Sequence, residues 1–343
     1  MHYDVFNGDA DGIIALLQLN FDKTDAVNTE SEKVSTLITG VKRDIELLKQ
    51  VDSSKATSVT VLDISLEKNS QALNALLEAQ VEVFYVDHHR TGDIPKSDKL
   101  TSILDTDANT CTSLLINKHL NGKYVYWAVA AAFGDNMFDS ANHLAQTLNL
   151  TAQQTEQLKE LGTYINYNGY GQSVSDLHFP PSDLYQALLK YPDPFELIGQ
   201  ENSIFSQLKS AYQSDMAKAQ ASKVLDDNEV VKTIALDDAP WARRVSGVFG
   251  NALANQAPDK AHIVVTLNSD NDVSSSDVSA DVSNVAQTYT LSLRAPLNNK
   301  QGAGDICALF ATGGGRAAAA GVNALPVSQL SNFIDKVKSY YQG

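Results

Sequence analysis

Cysteine is scarce in this chain: Cys111 and Cys307 are the only two among 343 residues. Two thiols in apolar helical contexts build no disulfide framework. They read as core thiols of a reducing compartment, so a cytoplasmic protein is expected. Long apolar runs are missing as well. The richest, around Trp127–Phe133, is Ala-rich and far short of the roughly 20 residues a membrane span requires, so no membrane partner is expected. The opening Met1-His2-Tyr3-Asp4-Val5-Phe6 has neither a basic n-region nor a long apolar h-region, and no secretory leader is expected. Positive charge is the third shortage. There are 26 Lys and Arg against 41 Asp and Glu, a formal net charge of −15. A protein that grips a long polyanion neutralises many phosphates with a basic stripe, and no Lys/Arg cluster stands out here. Long nucleic acid is therefore excluded as the expected partner. A small phosphate substrate is favoured, with metal ions cancelling part of the local negative charge.

What the chain does have is an apolar content of 43%, that of a globular protein, and enough length for two ordinary domains. Short apolar runs at Tyr3–Phe6, Val34–Ile38, Ser58–Leu62 and Val81–Val86 read as buried strands. Asp11–Leu19, Arg43–Val51 and Glu67–Ala79 read as helices between them, the pattern of a parallel sheet with covered faces. Asn109–Leu120 and Tyr124–Phe133 continue as helices, and the middle of the chain stays helical, broken by Asn166-Tyr-Asn-Gly-Tyr-Gly and Phe179-Pro-Pro. Ser203–Leu225 reads as one long connecting helix. Strand signals return at Val230–Leu236, Ile263–Leu267 and Thr288–Leu293, with helices around Ala242–Asn255, Asp305–Phe310 and Val327–Tyr341. The expected class is α/β, with a parallel-sheet domain over 1–150, a helical connector over 151–225 and a smaller α/β domain over 226–343. Asn268–Asn284, rich in Ser and Asp, reads as a solvated loop, since it lacks the turn glycine and terminal Glu of a calcium loop. No internal repeat is present.

The informative feature is where the carboxylates fall. Asp9 and Asp11 follow the first strand in Asn7-Gly-Asp-Ala-Asp-Gly, Asp63 ends the Val59–Leu62 run, and Asp87-His88-His89 ends Val83–Val86. Open α/β sheets bind ligands outside the carboxyl ends of their strands, so three strands aim Asp or His at one crevice. Gly134-Asp135-Asn136, closing an apolar helix, can reach the same place. A single such Asp is ordinarily a turn or N-cap residue. Four such sites with an Asp-His-His among them ask for another explanation, because clustered carboxylates repel unless cations compensate. Oxygen ligands with one imidazole suit Mn²⁺ or Mg²⁺.

This arrangement resembles the DHH phosphoesterase family. Asp9-Ala-Asp11 looks like its first motif, Asp63 its second, Asp87-His88-His89 its third and Asp135 its fourth. Leu291-Ser-Leu-Arg294 followed by Gly313-Gly314-Gly315-Arg316 looks like the family's DHHA1 substrate domain. The resemblance implies an N-terminal DHH domain joined by a helical connector to a DHHA1 domain, and a hydrolase using Mn²⁺ or Mg²⁺, with two ions. Asp63 would bridge them, Asp11, His88 and Asp135 would complete one site, and Asp9 would help hold the other. Many members carry a metal-binding His where this chain has Val5, which puts one site in question, whereas Asn7 matches the family's Asn. His89 would contact the scissile phosphate or assist the leaving oxygen, with Asp87 and Asn7 supporting from behind.

The run Gly313–Gly315 has two readings, a helix C-cap or a backbone that lets N–H groups approach phosphate ahead of a helix. The Ala-rich segment after it suggests such a helix. With Arg294 and Arg316 nearby, a phosphate pocket is favoured, Arg316 giving a bidentate grip. His178 reads as a loop-packing residue. Tyr164, Tyr167 and Tyr170 fit connector packing better than base stacking. The resemblance favours hydrolysis of short linear nucleotides, such as 5′-phosphorylated dinucleotides like pGpG or short oligoribonucleotides, to mononucleotides. Alternatives are a 3′-phosphoadenosine 5′-phosphate (pAp) phosphatase, a cyclic-dinucleotide phosphodiesterase, a single-strand 5′ exonuclease and, from another class, a catalytically idle nucleotide-binding regulatory module. Self-association is compatible with the sequence.

Overall fold

The computed structural model describes residues 1–26, 35–268 and 287–342. Val34 and the Ser- and Asp-rich stretch after Asn268 lie outside the described residues. The chain divides into two compact units, Met1–Tyr212 and Gln213–Gly343.

The first unit runs β1 (His2–Phe6), α1 (Ala10–Ala26), β2 (Thr36–Ile38), β3 (Ser58–Leu62), α2 (Leu66–Glu78), β4 (Glu82–Asp87) and β5 (Leu100–Leu104). The helices α3 (Thr112–His119), α4 (Val125–Gly134), α5 (Phe138–Thr147), α6 (Ala152–Asn168), α7 (Pro181–Leu188) and α8 (Pro194–Gly199) follow, then most of α9 (Ile204–Gln220). The five strands pair in the order β2-β1-β3-β4-β5, all parallel. Apolar side chains alternate between two layers, because successive strand residues face opposite ways. Val5, Val59, Val61 and Tyr85 pack in one. Phe6, Leu62 and Val86 pack in the other, together with Ile13, Trp127, Phe133, Leu161 and Leu184 from the helices. α6 and α7, read from sequence as connector, thus place their apolar faces in the core of this unit. α6 opens with a capping box in which Thr151 and Gln154 exchange bonds, satisfying two free N-terminal donors.

Two expectations differ here. Arg43–Val51 is not a full helix; only Leu47–Gln50 form a short 3-10 turn. Side chains capture the backbone groups a helix would use. Asp44 accepts from the Val41 N–H, while Asn69 donates to the Ile45 carbonyl and accepts from the Leu48 N–H. The edge strand β5 has no counterpart in the sequence reading, because Leu100-Thr-Ser-Ile-Leu is half-exposed and weakly apolar.

The second unit contains β6 (Lys223–Asp227), β7 (Val231–Leu236), α10 (Pro240–Gln256), β8 (Ala261–Asn268), β9 (Thr288–Arg294), α11 (Ala303–Ala308), β10 (Gly313–Gly315), β11 (Ala319–Pro326) and α12 (Leu330–Tyr341). Its six strands pair in the order β10-β11-β9-β8-β7-β6. Only β7 and β8 run parallel; the remaining pairs are antiparallel. The long connecting helix stops at Gln220, and Lys223–Asp227 forms a strand instead.

The Gly-Ala segment corrects a further expectation. Gly313–Gly315 is an edge strand, and the alanines after Arg316 enter β11 rather than a helix. Close backbone approach explains the choice of residue. A Cβ at Gly313 would lie 1.8 Å from the Cys307 carbonyl oxygen, and Gly315 has φ +145°. Only glycine tolerates both demands, and the alanines fit where β11 passes between its neighbours.

His262, on β8, is buried. Burial, reinforced by the charges of Lys232 and Lys260, pushes its pKa down to about 4 from 6.5. The folded state therefore binds fewer protons than the unfolded one between those values, and stability falls as pH drops through that window. Between pH 7 and pH 5 this group alone should cost about 2 kcal/mol. Urea unfolding at both pH values should show that loss in the wild type and a flatter dependence in His262→Leu. Parallel pH dependences in the two proteins would refute the assignment.

Candidate metal centre

The loop after β1 turns so sharply that a Cβ at Gly12 would meet the Asn7 carbonyl oxygen at 2.3 Å. That turn sets Asp9 as the cap of α1. Its Oδ1 accepts the N–H groups of Asp11 and Gly12 at 3.0 and 3.1 Å, which suits an anion at a helix N-terminus. Asp11, in the first turn, is fully buried and caps a different helix. Its two carboxylate oxygens each accept a backbone N–H, from Thr112 and Ser113 at the start of α3, both at 2.7 Å.

Asp63 follows β3 in the left-handed region at φ 59°, a conformation that Asp and Asn tolerate best among residues with a Cβ. Thr112 Oγ1 donates to its Oδ1 at 3.3 Å. Asp87 ends β4, and its Oδ1 bonds His89 Nδ1 at 2.8 Å. The other Asp87 oxygen is buried and finds no hydrogen-bond partner among the described residues, nor does the Asn7 side-chain oxygen. His88 and His89 lie with ring centroids 4.4 Å apart. Asp135 caps the C-terminus of α4, and Asn136 at φ 62° turns the chain away.

These elements bring the predicted ligands together. His88 Nε2 lies 3.4 Å from Asp63 Oδ1, 3.7 Å from Asp135 Oδ2 and 3.9 Å from Asp11 Oδ2. Such separations are long for hydrogen bonds. They lie near the roughly 3 to 3.5 Å that bonds of about 2.1 Å set between neighbouring ligand atoms, the Asp135 and Asp11 oxygens slightly wider. Among the described residues, two triads are close enough to hold an ion: Asp11, His88 and Asp135, and Asp63, His88 and His89. The donor set, hard carboxylate oxygens with imidazole, fits Mn²⁺ or Mg²⁺.

The electrostatics show what the residues lack by themselves. Burial, then the charges of Asp9, Asp11, Asp135 and Asp87, hold the Asp63 carboxyl well above the usual range. Asp135 is also raised: burial and the neighbouring carboxylates outweigh the opposing pull of Lys42. Burial works against a charged His89, but Asp87 and the more distant Asp11 and Asp135 outweigh it and raise its pKa. Negative charge is thus in excess, the condition a divalent cation relieves.

One participant is absent from the sequence reading. Lys42 reaches into the cluster and donates to Asp9 Oδ2 at 2.5 Å, Asp135 Oδ1 at 3.2 Å and Asn166 Oδ1 at 3.2 Å. Burial opposes its charge, but Asp9 first, then Tyr170 and Asp135, raise its pKa well above the ordinary lysine value. Burial would raise Asp9, but Lys42 overrides it and the carboxyl is lowered. The available signal is positional, since Gly40-Val41-Lys42 follows an edge strand of the sheet in which β1, β3 and β4 are followed by or end in the cluster's carboxylates. Asn166, part of a loop-like run by sequence, lies in the last turn of α6.

Val5 is fully buried in the apolar layer with Val59 and Val61 and takes no part in the cluster. Tyr164 and Tyr167 are buried, packing with Phe205 and Tyr212, so they are core residues. Tyr170 is half-buried, with its ring 5.7 Å from Lys42 Nζ. His178 bonds the Tyr167 hydroxyl at 2.8 Å, in keeping with loop packing.

In the second unit, register sets Arg294 opposite Ala319, and the Arg316 N–H closes the β10–β11 turn on the Ala319 carbonyl. Both arginines therefore occupy one end of the sheet. Arg294 is held by Asn251, Ser292 and the carbonyls of Leu293 and Gly247. Arg316 is exposed, as are Gly314 and Gly315, while Gly313 is half-buried.

No family model matches the sequence, and no curated protein does. The fold, however, recurs among solved structures. A DHH domain described as a member of the s1p family of ribosomal proteins superposes with a TM-score of 0.60 at 12% identity, over 99% of this chain and 86% of that one. This chain has the DHH-domain fold. Exonuclease RecJ bound to manganese gives 0.58 at 16% identity, over 99% of this chain and 90% of RecJ. The pGpG-specific phosphodiesterase PggH from Vibrio cholerae gives 0.56 at 12% identity, over 100% of this chain and 99% of PggH.

Proposed function

We propose that this chain is a divalent-metal-dependent phosphodiesterase that hydrolyses short linear nucleotides, 5′-phosphorylated dinucleotides above all, to mononucleotides in the cytoplasm. The observation that carries this reading is the gathering of Asp11, Asp63 and Asp135 around His88 in a DHH fold, each with a carboxylate oxygen within 3.9 Å of His88 Nε2. A bound Mn²⁺ or Mg²⁺ would polarise a phosphoryl oxygen and lower the pKa of an attacking water. The chain's own residues do the rest. Thr112 and Ser113 hold Asp11 rigid through its two oxygens. Asp87 orients His89 and favours its protonated form, so that His89 can donate to the scissile phosphate or the leaving oxygen. Its side chain is 41% exposed, which keeps it accessible to substrate.

Arg316 with Arg294, at the glycine-rich end of the second sheet, would anchor a terminal phosphate. The likeness of the fold to that of the pGpG-specific phosphodiesterase PggH supports a short nucleotide substrate. The acidic balance weighs the same way against long strands. Hydrolysis of a simple aryl phosphodiester should vanish in excess chelator and return best with Mn²⁺, then with Mg²⁺. Full activity in the chelator, in protein shown to be metal-free, would eliminate the metal-dependent reading.

A further inference from the structure

We infer that Lys42 is a built-in cation of this centre and that the cluster accordingly binds one divalent ion rather than two. The inference rests on the metal-dependent reading above and concerns how the positive charge there is divided.

An ammonium has three N–H donors. Those of Lys42 are matched by three oxygens from three different elements: Asp9 Oδ2 after β1, Asp135 Oδ1 after α4 and Asn166 Oδ1 in α6. Asn166 is itself buried at 4% exposure. It is a neutral acceptor that completes the ammonium's set without adding charge. The backbone of Lys42 is fixed on both sides. Its N–H donates to the Gly169 carbonyl at 2.8 Å, and its carbonyl accepts from Asn7 Nδ2 at 3.3 Å. This is a constructed position rather than a surface lysine reaching inward.

The same contacts deplete the ligands a second ion would need. Asp9, the residue expected to hold it, has one oxygen capping α1 and the other on Lys42. It belongs to neither triad that can hold an ion, and both triads share His88. Asp135 divides its oxygens, Oδ1 to Lys42 and Oδ2 toward His88. Position 5 offers Val, buried in the apolar layer. A second dication beside Asp9 would have to displace an ammonium whose donors are all satisfied, and would then face its charge in a poorly solvated site. Lys42 is thus a positioning residue. It holds Asp9 and Asp135 together in place of a metal, leaving one ion to the two triads that meet at His88, Asp11 with Asp135 on one side and Asp63 with His89 on the other.

The full chain, stripped with chelator and dialysed against increasing Mn²⁺, should bind one ion per chain by elemental analysis. Its electron paramagnetic resonance spectrum should be that of an isolated Mn²⁺. Two ions per chain with the halved hyperfine spacing of a coupled pair would overturn the inference and leave metal dependence standing. No bound ion would sink both. In Lys42→Ala a second Mn²⁺ should enter at high concentration and the coupled spectrum should appear. Lys42→Arg, which keeps the charge, should retain one ion. Lys42→Met, which keeps the packing of the stem, covers the case in which Lys42→Ala does not fold. A folded Ala or Met variant that still binds a single isolated ion would show that Lys42 does not exclude the second, and the inference would fail.

Discussion

Asp63→Asn should lose on the order of 10³-fold or more in turnover while gaining stability in the metal-free state. The loss follows from removing the carboxylate that comes nearest His88, since a metal's stabilisation of transition-state charge amounts to several kcal/mol. The gain follows from the Asp63 environment. Its folded-state pKa is raised well above 3.8 by burial and by four neighbouring carboxylates. A group whose folded pKa is raised stabilises the fold at pH values below its unfolded pKa, and that contribution disappears as pH rises through the folded pKa. At neutral pH the metal-free wild type therefore carries a penalty that the amide does not. Asn is the right replacement because position 63 sits at φ 59°. Ala there would add about 1 kcal/mol of backbone cost and confuse the comparison. Saturating Mn²⁺ should reverse the order of stability, since binding raises the wild type by mass action and the variant far less. Chemical denaturation of both proteins, with and without Mn²⁺, measures all of this. Near-normal turnover in Asp63→Asn would break the assignment of the centre.

Arg316→Ala should discriminate among substrates rather than weaken all of them. The side chain is exposed at the β10–β11 turn, and on the proposed function it grips a phosphate remote from the reacting one. Losing a charge-assisted contact costs about 1.5–3 kcal/mol, or about 10- to 150-fold in kcat/KM on a 5′-phosphorylated dinucleotide. If the contact is equal in ground and transition states, KM absorbs the loss. If it also positions the scissile bond, kcat falls with it. An aryl phosphodiester without that phosphate should be hydrolysed as before. Equal losses on both substrates would mean that Arg316 supports the structure, and the anchoring role would have to be dropped.

What was legible in the sequence follows from physics that acts locally. Val59–Leu62 and Val83–Val86 are apolar and bounded, so the strands and the carboxylates at their ends could be read directly. Asp135 could be placed because it closes the apolar helix α4. Lys42 could not, because a lone lysine after a short strand carries no periodicity, and its partners Asp135 and Asn166 are distant in sequence. The Gly-Ala segment reads as a helix by sequence because alanine suits helices by propensity. Its strand state is set by pairing with β9 and by the Cys307 carbonyl, which are tertiary facts. The 3-10 turn at Leu47–Gln50 depends in the same way on Asn69, a side chain on α2.

The central claim is that this centre cleaves short linear nucleotides. The most direct measurement is a product-resolved assay of the wild-type chain with Mn²⁺. It would compare a 5′-phosphorylated dinucleotide, a pentanucleotide of the same base and the cyclic dinucleotide. The linear dinucleotide should be converted to mononucleotides with kcat/KM at least about tenfold above the other two, the worth of one good phosphate contact. Equal or faster processing of the pentanucleotide, preference for the cyclic compound, or no mononucleotide product at all would contradict it.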